Sequence, residues 1–575
     1  MIKLLRFLRP FAISVAAILV LLFFQSLAEL YLPTLMADIV DTGIVKGDTH
    51  YMLSVGGFML LVSLGGVIFS IGASYLSSRA AMGFGKNLRT RVFSQVEGFS
   101  LHEFDQIGTA TLITRTTNDI TQVTMVLIVM LRMMVTAPMM AIGGIIMALS
   151  KDAKLTLVLV VAIPILAAAI FAIASKGVPL FKAMQVKLDK VNLVLRENLT
   201  GIRVIRAFNR IDHEKQRFYE ANRDLTDTAI RVNQIMAALM PIMMLVMNFT
   251  SIAIVWFGGV RIDRGEMQVG DMMAFIQYAM QIMFSLVMVA MMFVMIPRAE
   301  ASAVRINEVI DTEAEIVDPA QVKSPDGKRG FVEFRDVTFS YPGAEQPALS
   351  NISFTAGPGE VTAIIGGTGA GKSTLISLIP RFYDVDSGGI FVDGVDVREM
   401  SQATLRSKIG FVSQKAILFT GTVAGNIRYG KETADDKEVR RAADTAQATE
   451  FIAGMKDGFE SRIAQGGTNV SGGQKQRLAI ARALVRRPEI YVFDDSFSAL
   501  DFKTDAKLRA ALKRETTNAT MLIVAQRAGT VMDADRIIVL DDGRMAGIGT
   551  HRELLKSCAV YREIVSSQLS EEELA

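Results

Sequence analysis

Apolar positions follow two regimes along this chain. Up to residue 300 they come in long windows, at 11–32, 52–76, 124–149, 155–175, 235–260 and 272–297. A bilayer-spanning helix needs about 20 apolar residues, and each window meets that length. Only Glu29 and Arg132 put a charge inside one. Beyond residue 300 charges return, and short β-rich runs alternate with helical ones. The pattern predicts an α-helical six-span membrane domain over 1–310 and an α/β domain over 331–575. Between them, 311–330 (DTEAEIVDPAQVKSPDGKRG) is acidic, then Pro/Gly-containing and without apolar period, which marks a linker.

The connections between windows are unequal. Segments 77–123 and 176–234 are long, helical in pattern and carry seventeen Lys or Arg, against five on the short connections around 33–51, 150–154 and 261–271. With Lys3, Arg6 and Arg9 added, the positive-inside rule puts both termini, both long loops and the α/β domain in the cytoplasm of a plasma (inner) membrane protein. The start, MIKLLRFLRP, is basic and lacks a small-residue cleavage site after it, so it reads as an amphipathic segment on the inner membrane face. Composition agrees with a bilayer environment: 51% of the 575 residues are hydrophobic, and mean hydropathy is +0.35. A net charge of +3 gives no argument for a nucleic-acid partner, and the single Cys558 excludes an internal disulfide framework.

Candidate chemistry lies in the second half. VTAIIGGTGAGKST (361–374) is an apolar strand running into Gly366, Gly367, Thr368, Gly369, Ala370, Gly371, Lys372, Ser373 and Thr374, the P-loop spacing. Its glycines let backbone N–H groups wrap phosphates, Lys372 can neutralise the outer phosphates of ATP, and the Ser373 hydroxyl can ligate Mg²⁺. The metal's second ligand should be an acid at the end of another buried strand, and EIYVFDD supplies Asp494, followed by Asp495.

Between these motifs, NVSGGQKQRLAIARAL (469–484) places Ser471, Gly472, Gly473 and Gln474 before a basic amphipathic helix, which resembles the signature motif of ATP-binding cassette (ABC) proteins. Six spans followed by one cassette resemble an exporter-type half-transporter over essentially the whole chain. The resemblance implies further roles. Tyr341 in FSYPG resembles the aromatic that stacks on adenine. Gln414 resembles the Q-loop glutamine that touches Mg²⁺ or the attacking water. Asp501 in SALD resembles the D-loop aspartate at the dimer interface. It also implies a head-to-tail cassette dimer with two ATP molecules between the subunits, each held by one chain's P-loop and the other chain's signature. Stretches near 102–110 and 204–217 look like the coupling helices that dock on cassettes, with Phe208 a plausible anchor.

Two positions depart from the family pattern. Asp495 stands where a Glu general base is usual, and Gln526, after TMLIVA, stands where the switch His is usual. The four histidines, His50, His102, His213 and His551, all lie elsewhere. Gln526 can donate a hydrogen bond to a phosphate but cannot transfer a proton. Arg462 and Gln465, just before the signature, also replace the usual acids. A complete signature beside weak catalytic residues suits one subunit of a heterodimer, a degenerate-site half whose partner brings the Glu and the His.

The substrate expectation is a lipophilic small molecule, in a multidrug-type role. Fourteen of the 32 methionines fall between Met236 and Met295, and such flexible, polarizable side chains suit varied apolar ligands, though lipid-facing filler explains them almost as well. Gln277, Gln281, Asn248 and Arg132 are the polar span residues expected to face the bundle interior or to bond helix to helix. A lipid or siderophore transporter, a homodimeric exporter and an ATP-gated channel remain open alternatives.

Overall fold

The computed structural model describes residues 1–325 and 327–568; Asp326 of the expected linker and 569–575 of the expected α/β domain lie outside them. The chain divides into two compact units. Met1–Glu97 and Thr109–Thr312 form one, and Gly98–Gly108 joins the chain from Glu313 onward in the other.

In the first unit six helices among the described residues are long and apolar enough to cross a membrane: Ile2–Ile44, Thr49–Glu97, Thr109–Lys151, Thr156–Thr200, Ile211–Asp263 and Val269–Asp311. All outlast their apolar windows. Ile211–Asp263 has 53 residues, which at 1.5 Å rise makes about 80 Å, far more than a hydrocarbon core of about 30 Å. The loops expected at 77–123 and 176–234 are therefore largely continuations of these helices. Close crossings depend on small residues, as elsewhere in membranes: a Cβ on Gly144 would lie 2.7 Å from Ile282 Cγ1, and one on Gly85 would lie 2.7 Å from Thr124 Oγ1.

Outside the apolar windows, several charges of this unit pair between helices. Buried Asp119 accepts from Ser302 Oγ at 3.0 Å and from Arg305 Nε at 2.8 Å. Arg115 bonds Glu308 at 2.9 Å on the same pair of helices. At a short connection, Arg261 Nε donates to Asp152 Oδ2 at 2.7 Å. The amphipathic start is a short helix, Ile2–Phe11; the Met1 amine before it meets Glu300 at 2.9 Å, and its Lys3 meets Asp311 at 3.0 Å.

In the second unit a six-stranded sheet runs in the order Arg544–Gly549, Arg536–Asp541, Val361–Gly366, Thr520–Val524, Ile490–Asp494, Ile409–Val412. All neighbours are parallel except the Arg544–Gly549 edge. A four-stranded antiparallel sheet, Leu349–Ala356, Val332–Phe339, Ser387–Val392, Val395–Asp396, accompanies it. Buried Val332, Phe334, Ile352, Leu375, Ile379, Val492 and Leu522 share one core between the two sheets. Because the central strands are parallel, their C-terminal ends open along one edge, where doubly wound sheets bind ligands. Val361–Gly366 ends there in the P-loop, and Ile490–Asp494 ends there in Asp494, paired in register with Val524.

The membrane domain expected over 1–310 thus gives up residues 98–108 to the second unit. The short helix Leu101–Ile107 starts with a capping box, Ser100 and Glu103 bonding each other's backbone N–H. The buried Glu103 carboxylate also accepts from the Glu315 N–H at 3.0 Å, which ties this helix to the chain after the last span. The other expected docking stretch lies in the first unit, where Phe208 follows the helix Ile202–Ala207 and is 74% exposed.

Candidate nucleotide site

The loop after Val361–Gly366 turns through Gly369 and Gly371, at φ +85° and +91°. Only glycine adopts such angles without strain, and a Cβ on Gly371 would also sit 2.8 Å from the Ala348 carbonyl. The turn leads into the helix Lys372–Ser377. Lys372 Nζ donates to the carbonyls of Gly366 at 2.9 Å and Gly367 at 2.5 Å. Burial lowers the Lys372 pKa, and the nearby Asp495 and Asp494 carboxylates partly oppose that. Its ammonium is thus held over the loop, next to acids, where phosphate oxygens can compete for it.

Ser373 Oγ donates to Asp494 Oδ1 at 2.9 Å. Burial raises the Asp494 pKa, the Ser373 bond opposes it, and the charge of Asp495 adds to it. A hydroxyl and one carboxylate are hard oxygen donors of the kind Mg²⁺ uses when nucleotide phosphates and water fill its remaining positions, so the pair fits that ion. Among the described residues no cluster of three His, Cys, Asp or Glu forms a metal cage. Gln414, expected as a further metal ligand, donates from Nε2 to Asp495 Oδ2 at 3.3 Å, a bond that leaves its Oε1 to accept or ligate. The Tyr341 hydroxyl lies 3.0 Å from Thr374 Oγ1, and its half-exposed ring stands edge-on to Phe339 and Tyr383. The ring therefore borders the P-loop helix.

Asp495 sits at φ +44°, its N–H bonded to the Val524 carbonyl at 3.0 Å. Its side chain is 8% exposed, and Oδ2 accepts from both Gln414 and, at 3.0 Å, Gln526 Nε2. The Gln526 backbone is itself clamped: its carbonyl accepts from Gln568 Nε2 at 2.9 Å, and Ala528 N–H donates to Gln568 Oε1 at 2.8 Å. Nothing in the sequence pattern points to Gln568.

Ser471 caps the helix Gly472–Arg486, and it and Gln474 bond each other's backbone N–H. Gly473 packs against the SALD segment, where a Cβ would lie 3.0 Å from the Ala499 carbonyl, while a Cβ on Gly472 would meet nothing within 4 Å. Asp501 caps the helix Phe502–Glu515 by accepting from Thr504 N–H at 3.0 Å, and Thr504's hydrogen bonds hold its carboxyl below the usual range. Among the described residues, no hydrogen bond joins Ser471 or Gln474 to Gly366–Thr374. The P-loop turn and the start of the Gly472–Arg486 helix are therefore not bonded to each other among the described residues.

Comparison with known proteins assigns both halves. Residues 15–286 match the ABC transporter transmembrane region, and 349–498 match the ABC transporter family proper. An uncharacterized ABC transporter ATP-binding protein of Mycobacterium tuberculosis is 46% identical over 97% of each chain. The Bacillus subtilis ABC transporter ATP-binding protein YfiB is 40% identical over 99% of each. An ATP-dependent lipid A-core flippase of Chromobacterium violaceum is 33% identical over 95% of this chain and 93% of its own. Among solved structures, a bacterial Atm1-family ABC exporter with ATP bound superposes with a TM-score of 0.81 and 26% identity, over 98% of this chain and 99% of the other.

Proposed function

Because the chain belongs to the ABC transporters, as an exporter-type half-transporter with one six-helix membrane region and one ATP-binding cassette, we propose that it is one half of a heterodimer that exports lipophilic compounds across the plasma membrane. In this reading its own P-loop site binds ATP and hydrolyses it slowly, while its signature completes the partner's site. Both termini and the cassette lie in the cytoplasm.

The ATPase chemistry of an ABC cassette assigns the parts. Lys372 binds the outer phosphates, and Tyr341 stacks on the adenine. Ser373 and Asp494 would hold Mg²⁺, which when bound neutralises phosphate charge. Ser471, with the N–H groups of Gly472 and Gly473 at the start of a fifteen-residue helix, offers an anion cradle to the nucleotide of a facing cassette.

One observation carries the slow-site reading: the Asp495 carboxylate is held by two amide donors, Gln414 and Gln526. A general base has to reach the proton it takes, directly or through one water, within about 2.6–3.2 Å. An Asp is one methylene short of that reach, and misplacement by about 1 Å can cost about a hundredfold in rate. Gln526 restrains the carboxylate but supplies no proton and no positive charge. Nucleotide binding is thereby kept while water activation is weakened.

The test is the ATPase rate of the purified chain alone and with a co-expressed half-transporter that carries Glu and His at the positions of Asp495 and Gln526. The heterodimer reading expects slow turnover alone and fast turnover together. Full activity from the chain by itself would overturn it. Transport of a lipid is a second reading, favoured by the flippase among the relatives; movement of a labelled lipid between leaflets of proteoliposomes, dependent on ATP, separates it from export of a small drug.

A further inference from the structure

The membrane unit carries an open cavity of 490 Å³ lined by its first, third, fifth and sixth spanning helices, within the usual ligand-pocket range of about 300–1,000 Å³. Glu29 and Gln281 line it, and its apolar wall includes Met140, Met247, Met280 and Phe284. Arg132 and Asn248 do not line it and lie exposed on their helices. The charge of this cavity is therefore that of Glu29.

An ionised side chain inside a membrane span is costly and calls for a partner or an aqueous cavity. Glu29 Oε1 accepts from Gln25 Nε2 at 2.9 Å, and among the described residues no Lys or Arg pairs with it. Gln281 Nε2 donates to the Glu29 carbonyl at 3.3 Å, which leaves its Oε1 buried with no hydrogen-bond partner. Two oxygen acceptors thus lack a positive partner beside thioethers and an aromatic ring, groups that attract cations and mould to irregular apolar bodies.

We propose that Glu29 and Gln281 form a recognition site for a lipophilic cation. The carboxylate balances the positive charge, the Gln281 carbonyl turns its negative end to it, and the methionines and Phe284 cover the apolar body. The site needs no nucleotide in order to bind; only its part in transport rests on the exporter reading.

Two ions of nearly the same size and shape but opposite charge, tetraphenylphosphonium and tetraphenylborate, isolate the charge term. In equilibrium dialysis of the full chain in detergent without ATP, the wild type should bind the phosphonium at least about tenfold more tightly than the borate. Glu29→Gln, which keeps the volume, should abolish that preference by weakening the phosphonium about tenfold or more. Glu29→Asp should keep the preference, and ATP binding at the P-loop should be unchanged in both variants. Gln281→Leu should weaken the phosphonium alone, which supplies a second route should Glu29→Gln fold poorly. Equal binding of the two ions by the wild type, or unchanged phosphonium binding in Glu29→Gln, overturns the proposal. In inside-out vesicles the two readings separate. ATP-driven phosphonium uptake that survives Glu29→Gln removes the site and leaves the exporter. In vesicles that also carry the co-expressed half-transporter, phosphonium binding that depends on Glu29 without ATP-driven uptake removes phosphonium export and leaves the site.

Discussion

Gln526 Nε2 donates to Asp495 Oδ2 at 3.0 Å, so the side chain at the switch position restrains the one at the base position. A Glu and a His there would change both reach and proton-transfer capacity. The double variant Asp495→Glu with Gln526→His should therefore raise ATP turnover by the chain alone, by about ten- to a hundredfold if geometry is the deficit. Single-turnover hydrolysis of labelled ATP measures this directly. An unchanged rate in a variant that still binds ATP would mean that the slow-site account is wrong.

The parts of the structure visible in the sequence are those fixed by local rules. Span positions follow from hydropathy, and the P-loop turn from glycines at 369 and 371 that adopt positive φ. Contacts between distant positions were not legible. Glu103 meets Glu315 across 212 positions, and Gln568 meets Gln526 across 42. No periodicity encodes either pairing. The Asp495 pairing is an intermediate case: the departure from the family pattern is plain in the sequence, but the bonds from Gln414 and Gln526 to Asp495 are not. In the sequence Glu29 is legible only as a charge within a span, because its unpartnered state depends on the packing of four helices.

Glu103 gives a prediction about stability and its pH dependence. Burial pushes this carboxyl up, but hydrogen bonds from Ser100 and from the Glu315 and Ser100 N–H groups outweigh burial and leave it below its ordinary value of 4.5. A carboxyl depressed on folding stabilises the fold above its unfolded pKa, and that contribution is lost as pH falls through the folded value. Glu103→Ala leaves two N–H groups without their acceptor and should cost about 1–3 kcal/mol at neutral pH. The melting-temperature gap between wild type and Glu103→Gln should be widest at neutral pH and shrink below pH 4.5. A gap that grew on acidification would contradict the assignment.

Gln568 clamps the segment that carries Gln526 through both ends of its amide. Gln568→Ala removes two hydrogen bonds, each contributing about 0.5–1.5 kcal/mol, and it leaves the P-loop untouched. Hydrogen exchange should quicken at Ala528, whose N–H is one of the clamped donors. The dissociation constant for ATP should stay within about threefold of wild type, because Lys372, Ser373 and Tyr341 keep their places. Unchanged exchange at Ala528 would show that the clamp does not restrain the loop.

The signature glycines separate folding from assembly. A methyl group on Gly473 would press on the Ala499 carbonyl at 3.0 Å, so Gly473→Ala should disturb the cassette itself. A methyl group on Gly472 would meet nothing within 4 Å in this chain, so Gly472→Ala should fold and melt like the wild type. Its open side lies at the start of the helix capped by Ser471, where the proposed nucleotide of a facing cassette needs close backbone approach. Gly472→Ala should therefore leave ATP binding to the isolated chain intact and lower ATPase of the assembled transporter about tenfold or more, as expected when a close phosphate contact is obstructed. The two assays on one variant decide the point. If Gly472→Ala also weakened ATP binding to the isolated chain, the signature would be serving this chain's own site; if it left the assembled ATPase at the wild-type rate, no nucleotide would approach from that side.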